Sequence, residues 1–269
     1  MNRHHKIYRF GGLCALLALF LLGACTSEDA VPEYVERPVN EIYNDALNVL
    51  QDGAYADAAI MFDEVERQHP YSSWATKAQL MSAYSYYQDD SYDSAVVALD
   101  RFIQLHPSNE DVPYAYYLKA LCYYEQISNI SRDQKMTKLA LSTLDELVKR
   151  FPGSKYAKDA KLKLDLTRDH LAGKEMEIGR YYLTQRQYLA SINRFKTVID
   201  NYQSTTHVPE ALHRLAESYV ALGLTQEAQK VAAVLGHNFP GNQWYADAYA
   251  LVEGKILIPK KDDPWYRLW

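Results

Sequence analysis

The chain has 269 residues, of which 48% are hydrophobic and 23% charged, a balance that fits a folded globular protein and excludes a disordered one. The formal net charge is -5. Residues 1–24 hold Arg3, Lys6 and Arg9 and no acid, so without them 26 basic residues face 34 acidic ones for a net -8, which argues against nucleic acid as a partner.

The first 24 residues read as a signal peptide. Arg3, Lys6 and Arg9 precede an apolar run from Leu13 to Leu22, too short to span a bilayer comfortably and of the length of a signal-peptide core. The run ends in Leu22-Gly23-Ala24-Cys25, which resembles a bacterial lipobox. On that reading Cys25 is the mature N-terminus and carries covalent lipid, and the acyl chains give stable membrane anchoring. Thr26 follows; Asp there would resemble an inner-membrane retention signal, so the expected location is the outer membrane, periplasmic face. Residues 25–38 are polar and punctuated by Pro32 and Pro38, the composition of an extended tether. Cys122 is then the only free thiol, in an apolar helical run, and is expected as a buried small hydrophobe.

From residue 39 an internal repeat dominates. A small residue is followed by a large apolar residue four later and Pro eight after that, at Ala58, Phe62 and Pro70; Ala95, Leu99 and Pro107; Ala140, Leu144 and Pro152. Ala228, Ala232 and Pro240 keep the spacing with a smaller middle residue, and Ser191, Phe195 and Gln203 keep it without the Pro. The small residue lets two helices approach, the large one fills the groove on the same face, and Pro ends the helix. This resembles the tetratricopeptide repeat. The steps of 37, 45, 51 and 37 residues exceed the standard of about 34. The second contains the polar break Ser128–Gln134; the third, free of Pro from Gly153 to Gln187, predicts one long helix over 154–186.

The expected fold is therefore all-α, an α-solenoid of about five helical hairpins with one long helix joining repeats three and four. Residues 39–152 hold repeats 1–3, 153–254 hold repeats 4–5 with the long helix, and 255–269 form a tail.

No sequence motif for nucleophilic, metal or phosphate chemistry occurs, so neither an enzyme nor a cofactor is expected. His69 and His106 each precede a hairpin-closing Pro and read as helix-end residues, where partial positive charge suits the dipole. With 23 tyrosines against 7 phenylalanines, the chain favours rings that keep a polar tip. Trp74, Tyr84 and Tyr87 fall on the first helix of repeat two and Tyr117 on that of repeat three. They read either as inter-repeat core or as an aromatic groove for an extended peptide.

Asn40-Glu41-Ile42-Tyr43, Leu50-Gln51-Asp52-Gly53 and Asp100-Arg101-Phe102-Ile103-Gln104-Leu105-His106-Pro107 resemble the BamD family, lipoproteins of the outer-membrane β-barrel assembly machine. Arg132-Asp133, Tyr181-Tyr182 and Asn193-Arg194 are similar too, and the likeness spans nearly all of residues 25–240. It implies docking of the C-terminal repeats on the barrel-forming subunit, accessory lipoproteins in the same complex, and unfolded outer-membrane proteins received by the N-terminal repeats. Arg194 matches the family's docking Arg, with Arg132 and Asp133 as further docking positions; a solvated helix residue is the alternative for Arg194. Gln203 departs from the pattern, and the aromatic tail lies beyond it. A repeat lipoprotein serving as adaptor for other cell-envelope complexes is the competing function.

Overall fold

Four of the hairpin turns share one backbone solution. Gly53 and Gly223 take left-handed φ values of 80° and 75°, and Asp90 and Arg186 hold the same conformation at 57° and 59°. In each, the next amide reaches back to a carbonyl five residues earlier: Ala54 to Val49, Ser91 to Tyr86, Gln187 to Tyr182 and Leu224 to Tyr219. These bonds satisfy the helix's last carbonyls and reverse the chain in three residues.

The computed structural model describes residues 35–255. Two compact units divide at Pro38–Val39. Of the first, only 35–38 are described, without regular structure. Cys25, the signal peptide and the aromatic tail lie outside the described residues.

The second unit carries eleven helices among the described residues: α1 Val39–Gln51, α2 Tyr55–Gln68, α3 Ser73–Gln88, α4 Tyr92–Leu105, α5 Val112–Tyr124, α6 Lys135–Arg150, α7 Ala157–Thr184, α8 Tyr188–Asn201, α9 Val208–Ala221, α10 Thr225–Asn238 and α11 Gln243–Val252. Neighbours in sequence pack on one another in antiparallel hairpins, as short connections require. The α5–α6 hairpin is the exception, with the insertion 125–134 in place of the tight turn.

The repeat signature lies on the second helices. Ala58, Phe62, Ala95, Leu99, Ala140, Leu144, Ser191, Phe195 and Ala228 are fully buried and Ala232 nearly so. Ser191 fits the small position because its hydroxyl is satisfied twice, by the Tyr188 carbonyl at 2.8 Å and by Ser218 Oγ of α9 at 2.9 Å. The residues before the closing positions are helix C-caps, one place beyond the last turn. His69, His106, Phe151, Tyr202 and Phe239 all have φ between -127° and -133° and ψ between 43° and 58°. Tyr202 holds this geometry ahead of Gln203, so the packed ring fixes the exit even without proline.

The long helix is shorter than expected, 28 residues rather than 154–186, because Tyr156 and its connector form a turn. It also does more than join two repeats: α7 is the first helix of its own hairpin with α8. Ala160 and Leu164 in its first half belong to the core shared with α3–α6, whereas Ala172 and Met176 belong to the core of α8–α11. A third core, around Ile42, Phe62 and Ala78, seals α1–α3.

Candidate functional site

Tyrosine phenols gather along the first helices. Tyr117 of α5 stacks on Tyr156, with ring centroids 5.2 Å apart and planes at 23°, and donates its hydroxyl to Asp159 Oδ2 of α7 at 2.6 Å. Tyr114, one turn earlier, lies against the same Tyr156 ring at 5.4 Å. Burial, then the nearby Tyr84, Tyr156 and Tyr87 hydroxyls, push the Tyr114 phenol well above its ordinary pKa. Burial and the Asp159 carboxylate do the same for Tyr117, with Tyr87 and Tyr114 adding to it. Tyr87 in turn packs on Tyr92 at 5.9 Å, whose phenol is pushed up to about 12 by its hydrogen bond to Asp90. The result is a half-buried face of protonated phenols across α3, α5 and the start of α7, each an apolar plate with a polar edge.

Of the four candidate groove residues, Tyr84, Tyr87 and Tyr117 meet here. Trp74 does not. It opens α3, where Ser72 caps the helix by accepting from the Trp74 amide, and its ring packs edge-on to Tyr43 of α1 at 4.9 Å. Ten residues along a helix separate it from Tyr84 by roughly 15 Å.

The candidate docking residues occupy two places. Arg194 of α8 donates to Glu175 Oε2 of α7 at 3.0 Å and stays 41% exposed, so one side of the guanidinium is anchored and the rest faces solvent. Arg132 and Asp133 are exposed on the 125–134 insertion. That loop is held: buried Gln134 donates to the carbonyls of Asn129 and Arg132 and accepts from Thr137 Oγ1, and Asp133 Oδ2 accepts from the Lys135 amide that opens α6.

A buried charge cluster on α9 has no counterpart among the sequence motifs. Arg214 and Glu217 are 6% and 10% exposed and bonded at 2.9 Å. Glu210 lies 3.7 Å from Arg214 and receives both oxygens' contacts from Arg180 of α7 at 2.9 and 3.0 Å. The Arg214 guanidinium also sits 5.3 Å from the Trp244 ring centroid of α11. Spacings of three and four along Glu210, Arg214 and Glu217 are readable as a helix-surface ladder; that α7, α8, α10 and α11 close over this helix is not. Among the described residues, no cluster of three or more His, Cys, Asp or Glu side chains is arranged to hold a metal. Cys122 is buried, its thiol pushed up to about 12 by that burial, as suits an inert core residue.

Stacked helical hairpins with small–large pairs on their second helices and an aromatic first-helix face define a tetratricopeptide-type repeat protein. Residues 35–235 match the YfiO family of outer membrane lipoproteins. The outer membrane protein assembly factor BamD of Caulobacter vibrioides is 47% identical over 249 residues, 92% of this chain and 82% of that protein. The BamD of Rickettsia prowazekii is 48% identical over 90% of this chain and 96% of its own length, and that of Neisseria meningitidis is 33% identical over 92% and 95%. A solved tetratricopeptide protein of Thermus thermophilus superposes only loosely, with 16% identity over 80% of this chain and 99% of that one and a TM-score of 0.37. The chain belongs to the BamD family of outer-membrane lipoproteins.

Proposed function

We propose that this chain is a non-catalytic scaffold of outer-membrane β-barrel assembly. It is held at the periplasmic face of the outer membrane by lipid on Cys25 and binds the barrel-forming subunit, accessory lipoproteins and unfolded barrel substrates. The tyrosine face supports the substrate role. An unfolded β-strand presents alternating side chains and unpaired amides, and phenols offer ring area to the first and hydroxyls to the second at small entropic cost. Arg194 supports the docking role: a planar, half-exposed guanidinium can take a partner carboxylate bidentately while Glu175 holds its orientation.

The test is photo-cross-linking in cells from Tyr84 and from Arg194. Unfolded outer-membrane proteins are expected at the first and the barrel-forming subunit at the second, and depletion of the chain should lower many barrel proteins together. Normal barrel levels after depletion, or envelope enzymes as the captured partners, would replace this reading with the adaptor one.

A further inference from the structure

Along α7, Leu162, Leu166, Asp169, Gly173 and Arg180 recur at helical spacing and form one stripe. The second half of that stripe is covered by α9 and the connector leading into it. Asp169 accepts from the backbone and hydroxyl of Thr206, a Cβ on Gly173 would lie 3.3 Å from His207 Nε2, and Arg180 pairs with Glu210. The first half is bare. Leu162 is 60% exposed and Leu166 52%, although the opposite side of the same turns is buried through Ala160 and Leu164.

The cause is length. α7 has 28 residues and its partner α8 only 14, so the helices that follow cover α7 from Asp169 onward. Residues 157–168 project as a ledge of roughly 18 Å, about three helical turns. Two exposed leucines one turn apart at the end of a packed stripe form a contiguous apolar strip rather than scattered surface residues.

Its rim is cationic. Lys158 precedes Leu162 by one turn and Lys161 adjoins it; both are exposed, and no described acid pairs with either. The acids nearby are already engaged: Asp159 by the Tyr117 hydroxyl and Lys163, Asp165 by Arg168. The insertion carrying Arg132 borders the stripe, since Ile130 lies 3.9 Å from a Cβ placed on Gly173.

We propose that this ledge docks an acidic amphipathic helix of a protein partner, laid in continuation of α9. Its apolar side chains cover Leu162 and Leu166 and its carboxylates meet Lys158 and Lys161. On the covered half, Asp169 and Gly173 meet the connector residues Thr206 and His207, and Arg180 meets Glu210 of α9. This line therefore already takes a protein segment that presents a carboxylate, which with the free lysines favours an acidic helix over a lipid surface. The ledge begins beside Tyr156 and Asp159 of the tyrosine face, but Lys158, Lys161, Leu162 and Leu166 take no part in that face or in the Arg194 pairing, so the proposal stands or falls independently of the substrate and docking roles proposed above.

The test places a photoreactive residue at Leu162 in the full-length chain in cells, with the captured peptide sequenced. The expected adduct is a protein segment in which carboxylates flank apolar residues at helical spacing. Its yield should fall about tenfold in a Lys158→Glu, Lys161→Glu double variant, since reversed charge repels the acidic segment. The double variant should melt like the parent, because both side chains are exposed. Adducts to lipid, adducts to a second copy of the chain, a captured segment without acids, no adduct, or a yield unchanged by charge reversal would each overturn the proposal.

Discussion

Phe195 of α8 packs its ring edge onto Gly179 of α7 so closely that a Cβ on the glycine would lie 2.5 Å from Phe195 Cε1. The contact pins the fourth hairpin shut at its centre, with the ring fully buried. Gly179→Ala should therefore destabilise the chain by about 1–3 kcal/mol through overpacking, despite Ala's better helix propensity. Urea unfolding checks it: a lower midpoint with an unchanged slope is expected. Gly173→Ala should cost less, because its neighbour is the outer end of the His207 side chain, which can rotate away.

That pair also shows what was legible beforehand. Phe195 stands four residues after Ser191 in the repeat pattern, so its burial followed from spacing alone. Gly179 lies in a helix far longer than the other helices of the array, where no pattern assigns it a partner. The same boundary runs through the site. The tyrosines on first helices were visible as a cluster, but Trp74 was grouped with them because sequence places residues on a helix without saying which end meets which neighbour. Tyr156 and Asp159, which complete the tyrosine face, flank a helix start at Ala157, three residues later than the Pro-free stretch predicts. The buried Arg214–Glu217 pair was invisible because a charged ladder reads as solvated until other helices close over it.

Two arginines that look alike in sequence should behave oppositely. Removing Arg214 strands Glu217 in the interior, so Arg214→Met is expected to cost about 3–5 kcal/mol. Arg194 is 41% exposed, and Arg194→Ala should cost no more than about 1 kcal/mol. Thermal melts of both variants test the contrast. If Arg194 docks a partner, its Ala variant folds normally yet co-purifies less of the barrel-forming subunit, and Arg194→Lys restores little, since an ammonium lacks the planar fork.

Tyr117 separates stacking from hydrogen bonding. Tyr117→Phe keeps the ring on Tyr156 and gives up the bond to Asp159, and Lys163 at 3.5 Å still accompanies that carboxylate. A loss of about 0.5–1.5 kcal/mol in stability is expected. Tyr117→Ala removes the plate itself and should also abolish cross-linking of unfolded barrel substrates from Tyr84, where Tyr117→Phe leaves most of it. Equal capture by all three proteins would show that this ring is core and takes no part in the groove.

His213 predicts a specific pH dependence. It is buried on α9 against Trp244 at 5.2 Å, with no hydrogen-bond partner for Nδ1 among the described residues. Burial, then the adjacent Arg214 charge, lower its pKa from 6.5 to about 4, with Asp247 opposing in part. The folded chain thus binds fewer protons here than the unfolded one between those two values, and stability must fall as pH drops through that window. Complete passage through it corresponds to a loss of roughly 3 kcal/mol. Other groups titrate in the same range, so the measurement is a comparison: urea unfolding of the parent and of His213→Gln at pH 7.5, 6, 5 and 4.5. The parent should lose stability faster than the variant below pH 6.5, the gap widening toward pH 4.5. Parallel curves would mean that His213 reaches water or a partner in solution and titrates normally.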